Sequence, residues 1–266
     1  FPDQERPLCT FPAKGFKAAA MMDMDELDEM DPVEAKPLGR KPRVACLHGG
    51  GGNEFIFRSQ LAPLIKRLGD EVEIVFVEGK HLSDEVRFDE RGKKTIETLR
   101  AVFGADQVLR EHAVTKYGEL GDAGPFYYDR LDEGIEHSET VLRALAPVDV
   151  LLGFSQGANF STMLCSRAEK SMEGAASPFR CLVLLENDLA GWPEQKPELY
   201  AEPLSTPALV VGGKKESKAA DRIEEMFVVA EAFRHEDGHR PLPRNKKDLE
   251  ELVEMTRDWI FKYCPP

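Results

Sequence analysis

The sequence predicts an α/β fold with a mostly parallel central sheet, helices on both faces and short lid insertions. From Arg43 onward, short apolar runs that resemble strands alternate with longer segments of helical periodicity, which is typical of such a sheet. One apolar run, Val148–Leu152, leads directly into a Gly-x-Ser-x-Gly pentapeptide and then into helix-forming sequence. The length of 266 residues fits one decorated domain of this kind.

The individual elements follow from periodicity and from the glycines and prolines that interrupt it. The predicted strands are Val44–Leu47, Glu73–Val77, Val148–Leu152, Cys181–Leu185, Ala208–Val211 and Val228–Phe233. The predicted helices are Glu54–Leu68, Leu131–Leu145, Gln156–Lys170, Asp221–Met226 and Lys247–Tyr263. Residues 80–128 are less regular. Residues 1–40 show no sustained period, so we assign them to an N-terminal extension that need not be ordered and residues 41–266 to the folded domain.

Composition excludes several classes of function. A net charge of −13, from 35 basic and 48 acidic residues, argues against a nucleic-acid partner. The acidic run Asp23–Asp31 resembles a solvated tail. Five cysteines without close spacing predict neither a disulfide framework nor a metal site, which favours a reducing compartment and a cytoplasmic location. No apolar run is long enough for a transmembrane segment.

The pentapeptide Gly153-Phe154-Ser155-Gln156-Gly157 carries the most specific chemical prediction. Between a strand and a helix, this pattern places the serine on a sharp turn that exposes its hydroxyl and the N–H group that follows it. Glycines at both ends allow the strand and the helix to approach closely. Ser155 is therefore the candidate nucleophile, and the N–H group of Gln156 is a candidate oxyanion donor.

A second candidate for the oxyanion hole is the glycine run Gly49–Gly52, which follows the first predicted strand. Backbone N–H groups there can face the negative charge that forms when a serine attacks a carbonyl. Gly50 is the first choice and Gly51 the second. An ordinary turn, or a loop that cradles a phosphate, remains an alternative.

Two later loops supply candidates for the base and the acid. The loop after the last predicted strand contains His239, which can serve as general base, with His235 as its competitor. The loop after Val211 contains Glu216, whose carboxylate could orient that imidazole. Asp188 is the alternative acid, since either carboxylate preserves the chain order of serine, acid and histidine. Both loops could also be merely solvated.

Taken together, the segments His48–Asn53, Ile56–Leu61, Gly153–Ala158 and Gly238-His239 resemble those of the FSH-type serine hydrolases. The resemblance spans about residues 42–263 and implies an α/β-hydrolase fold with a serine, acid and histidine triad and no cofactor. Two positions depart from the family pattern. Glu216 stands where the family has aspartate, and Gly50 stands where it has an aromatic residue.

The expected function is hydrolysis of a small-molecule acyl ester or thioester through an acyl-enzyme on Ser155. Aromatic residues in segments 80–128 and 189–204 could form the walls of an acyl pocket or could simply close the core. Isolated histidines such as His81 and His112 are expected to be structural or solvated. The rival hypothesis is a non-catalytic protein of the same fold that binds a ligand or partner. The sequence leaves the oligomeric state open.

Overall fold

The computed structural model describes residues 35–83, 90–117, 126–171, 177–187, 192–214 and 217–266. Its strands are β1 (Arg43–Leu47), β2 (Glu73–Val77), β3 (His81–Leu82), β4 (Arg110–Glu111), β5 (Val114–Tyr117), β6 (Phe126–Asp129), β7 (Val150–Phe154), β8 (Cys181–Leu185), β9 (Ala208–Gly213) and β10 (Ala230–His235). Six of them form a parallel sheet in the order β10-β9-β8-β7-β1-β2. The carboxyl ends of β7, β8, β9 and β10 therefore lie side by side at one edge.

Helices connect these strands and cover the sheet. They are α1 (Glu54–Gln60), α2 (Ala62–Leu68), α3 (Glu90–Phe103), α4 (Leu131–Leu145), α5 (Gln156–Ser171), α6 (Trp192–Gln195), α7 (Ser217–Glu224) and α8 (Lys246–Tyr263). Short 3-10 turns span Gly69–Glu71 and Pro197–Leu199. The described residues thus confirm the predicted α/β architecture with a parallel sheet.

The sheet separates two apolar cores. In β1, Ala45 and Leu47 face the core formed with α4, α5 and α7, whereas Val44 and Cys46 face the core formed with α1, α2 and α8. All four side chains are buried. Because successive strand residues point to opposite faces, such a strand must be apolar along its length.

The predicted helix Glu54–Leu68 is wrong as a single element, since the structure divides it into α1 and α2 at Leu61. Pro63 lies in the first turn of α2 and has no N–H group to continue the hydrogen bonds of α1. The apolar stripe nevertheless continues through both helices. For this reason, periodicity alone did not reveal the break.

Other differences concern element ends and residues 80–128. The strand predicted at Val148–Leu152 spans Val150–Phe154, and the one predicted at Val228–Phe233 spans Ala230–His235. The irregular segment contains α3 and two small antiparallel pairs, β3 with β4 and β5 with β6. Ile96 and Leu99 of α3 pack with Ile56 and Leu109 in a third apolar cluster.

The residues that precede β1 pack against the domain where the structure describes them. The Leu38 N–H group donates to the Pro265 carbonyl at 2.8 Å. Arg40 donates two hydrogen bonds to Asp149, at 2.7 and 2.8 Å. The rest of the predicted extension, residues 1–34, lies outside the described residues. Across the described ranges, no helix combines the length and apolar character that a bilayer crossing requires.

Candidate active site

Ser155 occupies a sharp turn between β7 and α5. Its φ of +52° lies in the left-handed region, which non-glycine residues rarely adopt. The backbone has no room for side chains on either flanking glycine. A Cβ atom on Gly153 would lie 2.3 Å from the Gly157 carbonyl oxygen, and one on Gly157 would lie 2.1 Å from that of Leu47. The glycine spacing is therefore a steric requirement of this turn.

The glycine run after β1 contains the two candidate oxyanion donors Gly50 and Gly51, whose N–H groups differ in their contacts. The Gly51 N–H group donates to the Arg110 carbonyl at 3.0 Å, and that of Gly52 donates to the Gly49 carbonyl at 3.0 Å. Gly50 is half-buried, and no carbonyl among the described residues accepts its N–H group. The geometry thus favours Gly50 over Gly51 as an anion donor. Asn53, at the end of the run, caps α1 by accepting the Ile56 N–H group at 2.8 Å.

His48 holds the start of this glycine loop in place. Its Nε2 atom accepts the Gly79 N–H group at 2.9 Å, so Nδ1 carries the proton and donates to the Gly49 carbonyl at 2.8 Å. Burial lowers the pKa of the imidazole, which stays neutral at neutral pH. His48 is therefore a structural residue that ties the glycine run to the loop after β2.

A second buried imidazole extends the network to the serine turn. His112 stacks on His48 with 4.6 Å between the ring centroids, and its Nε2–H group donates to the His48 carbonyl at 3.1 Å. Burial lowers its pKa well below the ordinary value, and the neighbouring His48 adds to this effect. Of the two roles expected for such a histidine, structural or solvated, the buried His112 thus has the structural one.

Gln156, the residue after the candidate nucleophile, forms side-chain hydrogen bonds with the segment that begins at His112. Its side-chain oxygen accepts the His112 N–H group at 2.6 Å. Its side-chain nitrogen donates to the Ala113 carbonyl at 2.9 Å and to the Thr115 hydroxyl at 3.2 Å. Its backbone N–H group belongs to the first turn of α5, where no acceptor exists within the helix. The polar network therefore fixes the two candidate oxyanion donors relative to each other.

The loop after β10 brings a histidine to the serine turn. The His239 ring packs on the Phe154 ring with centroids 5.1 Å apart, and its side chain is 38% exposed. The His235 side chain is wholly buried. Of the two candidate bases, His239 is thus the one that solvent and a substrate can reach beside residue 154.

The carboxylate that the described residues place near both histidines is Glu186, which the sequence analysis did not select. Its side chain is 1% exposed; Oε1 lies 2.9 Å from His235 Nε2, and Oε2 lies 3.9 Å from His239 Nδ1. The sequence contained a signal, because an ionisable residue directly follows the wholly apolar strand Cys181–Leu185. The predicted acids Glu216 and Asp188 both lie outside the described residues.

Other features stay apart from this site. A groove of about 1220 Å³ opens at the opposite edge of the sheet, beside Asp149, Arg180 and Pro207, which lie just before strands β7, β8 and β9. Tyr128 belongs to the core, where its hydroxyl accepts the Asn159 amide at 2.9 Å. Within the described part of the chain, no three His, Cys, Asp or Glu side chains are arranged to hold a metal ion.

Comparisons with known proteins agree with this architecture. The model of the family described as serine hydrolase (FSH1) matches residues 38–252. Esterase OVCA2 of Danio rerio is 27% identical over 215 residues, which cover 78% of this chain and 91% of that protein. Esterase CG5412 of Drosophila melanogaster is 26% identical over 230 residues, covering 85% of this chain and 77% of that protein.

Solved structures show the fold. The Bacillus cereus carboxylesterase superposes with a TM-score of 0.50 at 17% identity, covering 82% of this chain and 88% of that one. Esterase PE8 also gives 0.50, at 14% identity, covering 86% of this chain and 96% of that one. These similarities confirm the predicted α/β-hydrolase fold.

Proposed function

Because the chain belongs to the FSH1 serine hydrolase family, we propose that it hydrolyses carboxylic esters or thioesters through an acyl-enzyme on Ser155. Family membership supports hydrolase function in general. The choice of Ser155 is supported by one observation above all, its left-handed backbone on the turn between β7 and α5. Non-glycine residues held in this conformation cluster at active sites, where the reaction requires a particular backbone geometry.

The reaction begins when the Ser155 oxygen attacks the substrate carbonyl carbon while its proton moves to Nε2 of His239. The carbonyl oxygen becomes an oxyanion. The bond to the leaving alkoxide or thiolate then breaks, and the imidazolium returns the proton to that group. A water molecule attacks the acyl-enzyme in the same manner, which releases the carboxylic acid and restores the serine.

The N–H groups of Gln156 and Gly50 are the proposed oxyanion donors. Gln156 lies in the first turn of α5, where unpaired N–H groups and the helix dipole favour negative charge. Gly50 lies on the loop that the His48 network ties to the neighbouring strands. Gly51 is less suited, because its N–H group already donates to Arg110. Donors fixed before the reaction stabilise the oxyanion most effectively.

The substrate is proposed to be a small acyl ester or thioester. The relatives named as esterases support an ester, and the sequence motif also fits a thioester. We propose a cytoplasmic location; the described cysteines Cys46, Cys165, Cys181 and Cys264 are all free and buried, which fits a reducing compartment.

The test compares wild type, Ser155→Ala and Ser59→Ala on short-chain p-nitrophenyl esters and on acyl-pantetheine thioesters. Ser59 lies exposed on α1 and serves as the matched control. We expect Ser155→Ala to lower kcat by at least about 10⁴-fold and Ser59→Ala to leave it unchanged. Equal rates in wild type and Ser155→Ala would refute the proposal. A wild type without activity on either substrate would favour the non-catalytic binding protein.

A further inference from the structure

Glu186 forms a second strained turn beside that of Ser155. It directly follows β8, the neighbour of β7 in the sheet, and its φ is +49°. The two turns are built alike. The Ser155 N–H group donates to the Leu185 carbonyl at 2.9 Å, and the Glu186 N–H group donates to the Val211 carbonyl at 2.7 Å. Adjacent strands therefore end in left-handed, non-glycine residues at the same edge, a conformation that clusters at functional sites.

The Glu186 carboxylate lies between two imidazoles that differ in their exposure to solvent. One oxygen lies 2.9 Å from Nε2 of the wholly buried His235, and the other lies 3.9 Å from Nδ1 of the exposed His239. Burying a carboxylate costs free energy of folding unless polar partners surround the charge. His235 thus faces the carboxylate on its buried side at ion-pair distance, without a hydrogen bond between the two atoms, while the second oxygen faces the histidine beside the nucleophile.

The neighbouring backbone makes room for this arrangement. A Cβ atom on Gly213, at the end of β9, would lie 3.6 Å from the Glu186 Oε1 atom and only 2.5 Å from the Asp237 carbonyl oxygen. The glycine therefore allows the loop that carries His239 to close over the carboxylate. Three adjacent strands, β8, β9 and β10, contribute to one enclosed contact.

We propose that Glu186 is a positioning residue for His239, an inference that rests on the proposed hydrolytic function. Its carboxylate accepts the Nδ1–H group of His239, so that Nε2 is the atom that receives the serine proton, and it stabilises the imidazolium that results. The separation of 3.9 Å shortens to hydrogen-bond length when a substrate is bound, as catalytic contacts commonly do.

The experiment measures pH profiles of kcat/KM for wild type, Glu186→Gln, Glu216→Gln and Asp188→Asn. Glu186→Gln removes a negative charge near the imidazole, so the pKa of His239 falls and the acid limb moves to lower pH by about one unit or more. We also expect kcat to fall at least about 100-fold. If Glu186 had a purely structural role, the substitution would lower the rate without moving the acid limb of the pH profile. Glu236→Gln is the control, because Glu236 is an exposed carboxylate of the same loop.

A second variant covers the case in which Glu186→Gln does not fold. Glu186→Asp keeps the charge but withdraws it from His239, so kcat is expected to fall at least about tenfold while KM stays the same. Wild-type kcat in Glu186→Asp, or an unmoved acid limb in folded Glu186→Gln, would overturn the proposal. Failure of the parent function appears separately, as a wild type that a fluorophosphonate probe does not label, and would overturn both proposals.

Discussion

Replacing Gln156 by alanine tests the polar network that surrounds the serine turn. The side chain is buried and bridges the N–H group of His112 and the carbonyl of Ala113. The substitution leaves the backbone of residue 156 in place, but it removes the side chain to which both of these backbone groups are hydrogen-bonded. The Thr115 hydroxyl loses its contact too, although that bond is only partly buried.

The expected cost follows from the two buried backbone groups that are left without a partner. Each costs about 1–3 kcal/mol, so Gln156→Ala should lower the free energy of unfolding by about 2–6 kcal/mol. This is a large part of the total stability of a typical domain, which is about 5–15 kcal/mol. We therefore expect a clear shift of the unfolding midpoint.

Urea unfolding monitored by circular dichroism measures this cost. Gln60→Ala is the control, because Gln60 lies half-buried at the end of α1, outside the network. We expect the midpoint of Gln60→Ala to stay close to that of wild type. If Gln156→Ala unfolds within about 0.5 kcal/mol of wild type, the network is not what holds the turn.

Two further predictions concern packing and pH. Gly157→Ala should destabilise the protein by about 1–3 kcal/mol, despite the usual helical preference for alanine, because its Cβ would lie 2.1 Å from the Leu47 oxygen. A Cβ atom on the control Gly238→Ala meets nothing within 4 Å, so this variant should keep the stability of wild type. Equal thermal unfolding of the two variants would disprove the steric argument. Burial lowers the pKa of His112 below its ordinary 6.5, so the unfolded chain binds the extra proton and stability falls as the pH drops below about 6.5. His112→Gln should reduce this pH dependence by up to about 1.4 kcal/mol per pH unit in urea titrations, and an unchanged slope would contradict a buried neutral imidazole.

The central strands β8 and β9 were predictable because they are buried on both faces of the parallel sheet. Cys181–Leu185 is apolar throughout, and the structure places the strand at those bounds. Helix α3 was harder to recognise, because only Ile96, Leu99 and Phe103 of its described residues pack in the apolar cluster, and many charged residues surround them in the sequence. Their spacing of three and four residues was nevertheless a helical signal.

The candidate site was predictable only where local backbone sterics determine it. The turn at Ser155 requires its glycines, so the motif revealed it. The proposed role of Glu186 depends on three strands that lie side by side only in the folded sheet. Its place after an apolar strand was a signal, but no local pattern reports which carboxylate faces a distant histidine. The pairing of Gln156 with His112 is likewise a long-range contact, 44 residues apart in the sequence.

The most direct test of the account is covalent labelling with a fluorophosphonate, followed by peptide mapping by mass spectrometry. An activated serine forms a stable phosphonyl adduct, whereas an ordinary surface serine does not react. We predict one adduct, on the peptide that contains Ser155, which disappears in Ser155→Ala and becomes much slower to form in His239→Ala. Absence of an adduct on folded wild-type protein, or an adduct on a different residue, would contradict the assignment of Ser155 as the nucleophile.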